Sequence, residues 1–378
     1  MHNIKHIEYK IFSLNRFSLS SKENNEIQQD LKNSNILILG AAGSIGSEFS
    51  KRIFDYNFKK LILIDKDENS LTELNRDINL FFPKYLNKVD YIVLDITSSN
   101  IDNILKTKKI SHYFNFAAVK HVRSEENIES IQYMIKTNSF DFLPSKPFFL
   151  KKFFSISTDK SCNPKSILGI SKKIMEINLA NYKMKYPKVH VSSNRFANVA
   201  FSKGSILEFA IKRISQKLPF GVPKNIRRFF ISHREACNLC FKSMLPQGNG
   251  AITIPNVNTF GKEIYIYKII KKILKIKKIK YQFKKKVTSF DTNFLQIELK
   301  NQKNHGQKNS ETFREKNEKV LKVDNDKEIL ILPFFHKINY LNKNSFKQKN
   351  LNSLKNFLKR KFKTYKPPHN EKKVSQEL

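Results

Sequence analysis

The stretch "NILILGAAGSIGSEFSKRIFDY", residues 35–56, decides the fold. A short apolar run gives way to a glycine-rich turn and then to apolar residues at helical spacing, which reads as strand, tight turn, helix. Gly40, Gly43 and Gly46 form G-x-x-G-x-x-G across that turn. Glycine suits these positions because the turn is tight and the backbone must approach a pyrophosphate, whose charge rests on the amides of Ser44, Ile45 and their neighbours at the helix start. The next apolar run, "KLILID", ends in Asp65, nineteen residues past Gly46. A carboxylate there binds ribose hydroxyls and repels a 2′-phosphate, so NAD is favoured, while Lys66 beside it leaves NADP open. Asp95 and Ile96 end the third run and are expected at the adenine, with Ala117 and Ala118 after the fourth. A glycine turn that binds no nucleotide is the bland alternative, and the strand and acid together argue against it.

Further short runs follow at "VDYIVLD", "HYFNFAA", "FFSIS" and "HVSSNRF", mostly separated by enough chain for a crossover helix. Strands alternating with helices predict an α/β fold, a Rossmann-type doubly wound parallel sheet with a smaller C-terminal substrate-binding region. The expected organisation is an N-terminal extension over 1–33, an NAD-binding domain over 34–199, a substrate-binding region over 200–296 and a divergent polar and basic region over 297–378. Within the last, "KNQKNHGQKNSETFREKNEKVLKVDNDKE" reads as a loosely ordered connection and "NSLKNFLKRKF" as a helix.

The chain has 378 residues and a formal net charge of +37, enough length for one large or two moderate cores and a charge that points to anionic ligands. The lysines are spread along the chain. Lys, Asn, Ile and Phe share codons made only of A and T, so compositional bias explains the charge better than dedicated nucleic-acid binding. No run approaches the roughly 18 apolar residues of a membrane span, and the first 25 residues lack the apolar core of a secretory leader, so a cytoplasmic chain is expected. Cys162, Cys237 and Cys240 are too few for a disulfide framework. The C-x-x-C of the last two lies in a helical pattern, which favours a buried structural pair over metal or redox chemistry, and no metal site is expected.

A nicotinamide enzyme acting on an alcohol needs a proton acceptor near the reacting hydroxyl, and short-chain dehydrogenases take it from Tyr-x-x-x-Lys. Here Lys172 is present, but Leu168 stands four residues before it, and leucine moves no proton. Thr158, at the C-terminal end of "FFSIS", lies where open α/β sheets bind their ligands. The stretch "ISTDKSCNPKSILGISKK" therefore reads as a site, with Thr158 bonded to the reacting hydroxyl, Asp159 as general acid, Lys160 as base and Lys172 on the nicotinamide ribose. The alternative is that Asp159 and Lys160 open a solvated loop.

Five ordered blocks, "GAAGSIGSE", "FNFAAVKHVRSEEN", "SISTDKSCNPKSILGISKKIMEI", "NRFANVAFSKGSIL" and "IRRFFISHREACNLC", resemble the UDP-N-acetylglucosamine 4,6-dehydratases, the polysaccharide-biosynthesis branch of the extended short-chain dehydrogenases. They are most like the form associated with legionaminic-type nonulosonate pathways. The resemblance covers roughly residues 34–255 and is fainter at "KPPHNEKKVSQEL". It implies tightly held NAD(P), oxidation at the sugar C4, loss of water across C5 and C6, and return of hydride to C6. It also implies that the Thr158-Asp159-Lys160 trio assists oxidation, protonates the C6 hydroxyl and removes the C5 proton. Lys120 and His121 match a motif beside the cofactor and are expected at the substrate. Asn198 and Arg228 match positions that bind the substrate's diphosphate, for which a guanidinium fork is suited. The usual Tyr is commonly Met in this branch, so Leu168 is a mild departure. A UDP-sugar ligand, no specific nucleic acid, and a homo-oligomer are expected.

Two departures stand out. Residues 138–157 look shorter than in relatives, with Pro144 and Pro147 where a helix is carried, and a proline inside a helix costs about 3 kcal/mol. The region after 260 has drifted, and "EIYIYKIIKKILKIKKIK" reads as an ordinary domain helix or as a basic amphipathic membrane helix. A 4-epimerase or reductase of the same fold, and an inactive scaffold, are the competing readings.

Overall fold

A computed structural model describes residues 2–12, 15–98, 101–120, 125–287, 293–301, 311–323, 328–334, 343–348 and 350–365. His121 and the stretch "KPPHNEKKVSQEL" lie outside these residues.

Most of the apolar runs form parallel strands buried on both faces, where a continuous apolar sequence is wanted, while the edge strand Val89–Val93 is only partly covered. In chain order the N-terminal part contains α1 (His2–Phe12), α2 (Ser21–Leu31), β1 (Asn35–Leu39), α3 (Ser44–Arg52), β2 (Lys60–Asp65), α4 (Glu68–Phe81), β3 (Val89–Val93), α5 (Ile101–Thr107), β4 (His112–Asn115), α6 (Ile128–Ile135), β5 (Lys152–Ile156), α7 (Ile167–Lys185) and β6 (His190–Asn194). The sheet has nine strands. From one edge it runs Lys322–Val323, Ile329–Pro333, Ala251–Pro255, β6, β5, β4, β1, β2, β3. β1 through β6 and Ala251–Pro255 pair in parallel, whereas Ile329–Pro333 is antiparallel to Ala251–Pro255 and Lys322–Val323 is antiparallel to Ile329–Pro333. The strand order reverses between β4 and β1, and the glycine turn follows β1, at the crevice where sheets of this kind bind ligands.

Close packing explains the third glycine. A Cβ on Gly46 would lie 2.1 Å from the carbonyl oxygen of Gly40, so α3 can start against the turn only without a side chain there. Gly40 itself has φ +74° and sits against the Phe116–Ala117 backbone.

The chain does not divide at residues 200 and 297. Helix His233–Met244 and strand Ala251–Pro255 belong to the nine-stranded unit although they lie between 200 and 296, and strand Ile329–Pro333 joins it from beyond 297. The polar stretch over 300–328, expected to be a loose connection, contributes strand Lys322–Val323 to the sheet, and the apolar run "ILILP" that follows it buries Ile329, Ile331 and Leu332. A second apolar cluster unites α1, helices Ile206–Ser215 and Ile266–Ile276, and the three-stranded sheet of Phe220–Pro223, Leu295–Lys300 and Tyr281–Lys284. Helix Ile266–Ile276 buries Ile266, Ile269, Ile270, Ile273 and Leu274, one stripe at 3.6-residue spacing, and so is a domain helix. The described part of the first 33 residues, 2–12 and 15–33, is also built in. Ser20 and Glu23 form a capping box on α2, Ile27 and Leu31 enter the main core, and buried Arg16 pairs with Glu235 at 2.7 Å.

α6 ends at Ile135 in a wide π turn over Lys136–Phe140, and Pro144 and Pro147 fall in irregular chain beyond it. No helix of the described residues is long and apolar enough to cross a membrane. Helix Leu351–Lys361 forms as expected and packs Leu354 and Leu358 against Ile167, Ile170 and Ile174 of α7.

If strand Ile329–Pro333 is part of the main core, Leu332→Ala should lower unfolding free energy by about 2–5 kcal/mol in denaturant titration, as for other buried Leu truncations. A change within about 0.5 kcal/mol would mean that the strand is peripheral.

Candidate active site

β5 ends at Ile156, and the chain turns through Ser157 and Thr158 into a short 3-10 turn, Asp159–Ser161. Thr158 caps that turn, and its hydroxyl donates to Asp159 Oδ1 at 2.8 Å. Lys160 Nζ donates to the same oxygen at 3.0 Å. The trio thus forms one hydrogen-bonded unit and not a solvated loop: Asp159 is 3% exposed.

Helix α7 packs against this turn at Gly169, where a Cβ would lie 2.4 Å from the Lys160 carbonyl oxygen. Ser166 caps α7, and both oxygens of Glu125 accept from its first amides, Ile167 N at 3.2 Å and Leu168 N at 3.1 Å. Lys172 is buried and donates to Ile156 O at 2.9 Å; burial lowers its pKa to about 8. Lys160 moves the other way. Desolvation opposes its ammonium, but Asp159 and Glu311 outweigh that and raise its pKa.

Behind the trio lies a buried ionic network. Glu176 accepts from Ser157 Oγ at 2.5 Å and Ser161 Oγ at 2.7 Å, the two hydroxyls that flank the trio. The fully buried Arg195 donates to Glu176 through Nε at 2.8 Å and Nη2 at 2.7 Å, and to Glu318 through Nη1 and Nη2 at 2.7 Å. It also reaches Phe313 O at 3.0 Å. Burial alone would raise the Glu176 carboxyl, but Arg195 pulls it down to about 2.

The trio opens on a cavity of about 610 Å³. Of the residues singled out from sequence, it is lined by Gly43, Ser44, Ile45, Gly46, Ala118, Lys120, Thr158, Asp159, Lys160, Lys172, Asn198 and Arg228. Gly40, Asp65, Asp95, Ile96 and Ala117 are not in its lining. Asp65 reaches back to the glycine turn, where Oδ2 accepts from Ala42 N at 2.9 Å. Asp95 accepts from Thr97 N at 2.9 Å and Tyr133 OH at 2.7 Å, and Lys66 donates to the same Tyr133 hydroxyl at 2.9 Å. Leu168 lines the cavity at 7% exposure, an apolar wall where a phenol would otherwise stand.

Asn198 is differently engaged from its expected diphosphate role. Its Nδ2 donates to Glu311 Oε1 and, at 3.3 Å, to Phe229 O. Glu311 Oε2 accepts from Phe229 N at 2.7 Å. Glu311, Glu125 and Lys203 line the cavity without having been singled out. Lys203 bridges to the glycine turn, donating to Ala42 O at 3.0 Å and Ser70 Oγ at 2.8 Å, while its amide donates to Ser44 Oγ. Nothing in the local sequence around Lys203 points to this, because the partners lie over 130 residues away. Cys237 and Cys240 are buried, burial pushes both thiols up, and among the described residues no group of His, Cys, Asp and Glu is arranged to hold a metal.

The sheet order, glycine turn and cavity define the Rossmann-type fold of the extended short-chain dehydrogenases. The X-ray structure of Pen from Bacillus thuringiensis shares this fold with a TM-score of 0.66, covering 82% of this chain and 89% of that one at 19% identity. Residues 36–332 match the family described as polysaccharide biosynthesis protein, and the chain belongs to it. It is similar to the capsular polysaccharide biosynthesis protein CapD of Staphylococcus aureus, 25% identical over 260 residues, 66% of this chain and 42% of CapD. It is also similar to a Campylobacter jejuni UDP-N-acetylglucosamine 4,6-dehydratase (inverting), 26% identical over 242 residues, 59% of this chain and 67% of that enzyme. The chain thus matches less than half the length of CapD.

The network yields a pH-dependent stability with a defined sign. Glu176 is held at about 2 against an ordinary 4.5, so its contribution is complete above 4.5 and is lost as pH falls towards 2. Arg195→Met should cost about 3–5 kcal/mol at neutral pH, since it leaves buried carboxylates unpaired. It should also remove the share of the decline in stability between pH 4.5 and 2 that Glu176 is expected to contribute, read by comparing chemical denaturation of wild type and variant across that range.

Proposed function

We propose that the protein is a nicotinamide-dependent sugar-nucleotide 4,6-dehydratase acting on a UDP-N-acetylhexosamine, UDP-N-acetylglucosamine being the favoured substrate, for surface polysaccharide or nonulosonate synthesis. The observation that carries this reading is the hydrogen-bonded Thr158–Asp159–Lys160 unit at the end of β5, with Asp159 buried at its centre and an apolar Leu168 where a 4-epimerase or reductase needs a phenol.

The residues fit a dinucleotide. The close approach of Gly46 to Gly40 leaves the start of α3 bare for a pyrophosphate, and Gly43, Ser44 and Ile45 line the cavity there. Asp65 beside the turn favours NAD, and Lys66 is directed to Tyr133 and Asp95. When bound, the nicotinamide supplies hydride acceptance at the sugar C4 and hydride return at C6. Lys172 stands beside Ile156 O in the cavity to orient the ribose.

Thr158 already donates its hydroxyl hydrogen to Asp159. As the C4 hydroxyl is oxidised, its proton can replace that of Thr158, which passes to Asp159. Asp159 then holds a proton and delivers it to the departing C6 hydroxyl as water leaves. With Asp159 neutral, the partly exposed Lys160 releases its ammonium proton to solvent, takes the C5 proton, returns it to C5 when the product forms, and is reprotonated from solvent once Asp159 is again an anion. Uptake of a proton by Asp159 removes the nearest negative charge holding Lys160 as a cation, so the first half of the reaction eases Lys160 towards its role as base. Lys120, Arg228 and Lys203 line the cavity as cations suited to a diphosphate.

Purified protein supplied with NAD and UDP-N-acetylglucosamine should convert the sugar nucleotide to a product lighter by one water, read by mass spectrometry. Asp159→Asn and Lys160→Met should each slow this by about 10²–10⁴-fold. Thr158→Val should slow C4 oxidation and leave the cofactor oxidised. Leu168→Ala should spare the chemistry. Wild-type protein that returns the substrate unchanged, or with only C4 inverted, would sink the reading.

A further inference from the structure

Lys203 joins two parts of the molecule across the rim of the cavity. Its root lies in the short loop from Phe201 to Ser205, which is anchored at both ends. Phe201 is buried in the second apolar cluster, edge-on to Phe12 with ring centroids 6.0 Å apart, and Ser205 caps helix Ile206–Ser215 by accepting from Glu208 N at 3.2 Å. Between these anchors the chain is tightly wound. Phe201 has φ +56°, a left-handed conformation that few bulky residues adopt, and Gly204 has φ +73°. Such a conformation persists at a phenylalanine only where the surrounding structure over-determines it.

The tip of Lys203 lies in the other part. Its Nζ donates to Ala42 O at 3.0 Å and to Ser70 Oγ at 2.8 Å, and its amide donates to Ser44 Oγ at 2.7 Å. Ala42 and Ser44 flank Gly43 in the glycine turn, whereas Ser70 stands in the first turn of α4, just past Asp65 and the end of β2. Asp67, the cap of α4, accepts from the same Ser70 hydroxyl at 2.5 Å, so the ammonium is linked through Ser70 to a carboxylate. In a sheet of this kind the glycine turn holds the pyrophosphate of a dinucleotide and the end of the second strand holds its ribose. One side chain, rooted in the second cluster, thus spans both places. Lys203 is exposed on its outer side, as a strap at a rim must be, and an exposed lysine with no such attachment keeps its rotamer freedom in water.

We propose that Lys203 is a clasp for the dinucleotide, a positioning residue that fastens the Phe201–Ser205 loop over the glycine turn and slows the cofactor's escape. This rests on the reading of the turn as a dinucleotide site. Retention matters to the proposed reaction because the hydride taken from C4 returns to C6 of the same sugar, and a protein that loses its dinucleotide between those steps cannot complete them.

The test follows release of NADH from full-length protein, as stopped-flow loss of bound NADH fluorescence after mixing with excess NAD. Lys203→Met keeps the stem and removes the donors, and should release NADH at least about threefold faster, since lost charge-assisted hydrogen bonds are felt mainly in dissociation. Lys203→Arg, which still offers donors to the same acceptors, should stay within about twofold of wild type. Ser70→Ala removes one acceptor and should release NADH about twofold faster. Affinity for UDP, read by calorimetry, should change by less than about threefold in Lys203→Met. A purely structural role would lower the stability of Lys203→Met without raising its release rate. Release from Lys203→Met less than about threefold faster than from wild type would overturn the proposal, and a loss of UDP affinity alone would make Lys203 a substrate ligand instead. Should Lys203→Met not fold, Ser70→Ala carries the test, and an unchanged release rate there overturns the proposal. Failure of the wild type to bind NADH or NAD at all would overturn the dinucleotide reading itself, and this inference with it.

Discussion

A single guanidinium, that of Arg195, holds the working parts of this protein together. It lies fully buried just past the end of β6 and shares its hydrogen bonds between Glu176 of α7 and Glu318 of the C-terminal part. Glu176 in turn holds Ser157 and Ser161, so the turn bearing Asp159 and Lys160 is fixed from behind by hydroxyls on either side of it. Glu318 and Phe313 O fix the segment that brings Glu311 to the cavity wall. A buried ion pair is weak evidence of net stability, because the cost of removing charges from water can exceed their attraction. Its effect here is geometric: a planar fork with carboxylates on two edges allows few other arrangements of the three segments it joins.

The two lysines of the site show how position decides chemistry. Lys172 and Lys160 are twelve residues apart on adjoining elements. Lys172 is enclosed with only the distant charge of Glu176 to favour its cation, and desolvation prevails. Lys160 meets Asp159 directly, and attraction prevails. Burial thus favours the neutral amine at Lys172, and the carboxylates beside Lys160 favour its cation.

What could be read from sequence was what depends on neighbours along the chain. The glycine turn, the apolar runs and the amphipathic stripe of Ile266–Ile276 are local patterns, and the structure carries each of them. The Thr158–Asp159–Lys160 unit was legible for the same reason, its three side chains bonding to one another. Glu311, Glu315 and Glu318 were not, because "SETFREKNEKV" has the composition of a linker and its meaning lies in cations more than a hundred residues earlier. Asn198 was singled out as a ligand contact, but the partner that its Nδ2 has within the fold, Glu311, was not. The first 33 residues show the reverse case. The S-x-x-E of Ser20 and Glu23 is a local helix signal, but a polar composition masked it.

The antiparallel pairing of Ile329–Pro333 with Ala251–Pro255 bears on how the chain reaches its shape during synthesis. The parallel strands from β1 to Ala251–Pro255 all emerge from the ribosome before it. Until some eighty further residues have been made, Ala251–Pro255 is an open sheet edge, largely apolar in "AITIP" and without the charges that usually discourage pairing with another chain. Such an edge recruits neighbouring nascent chains as readily as its own partner. The last strand therefore closes the sheet against self-association as well as completing it, and the vulnerable interval is set by elongation speed.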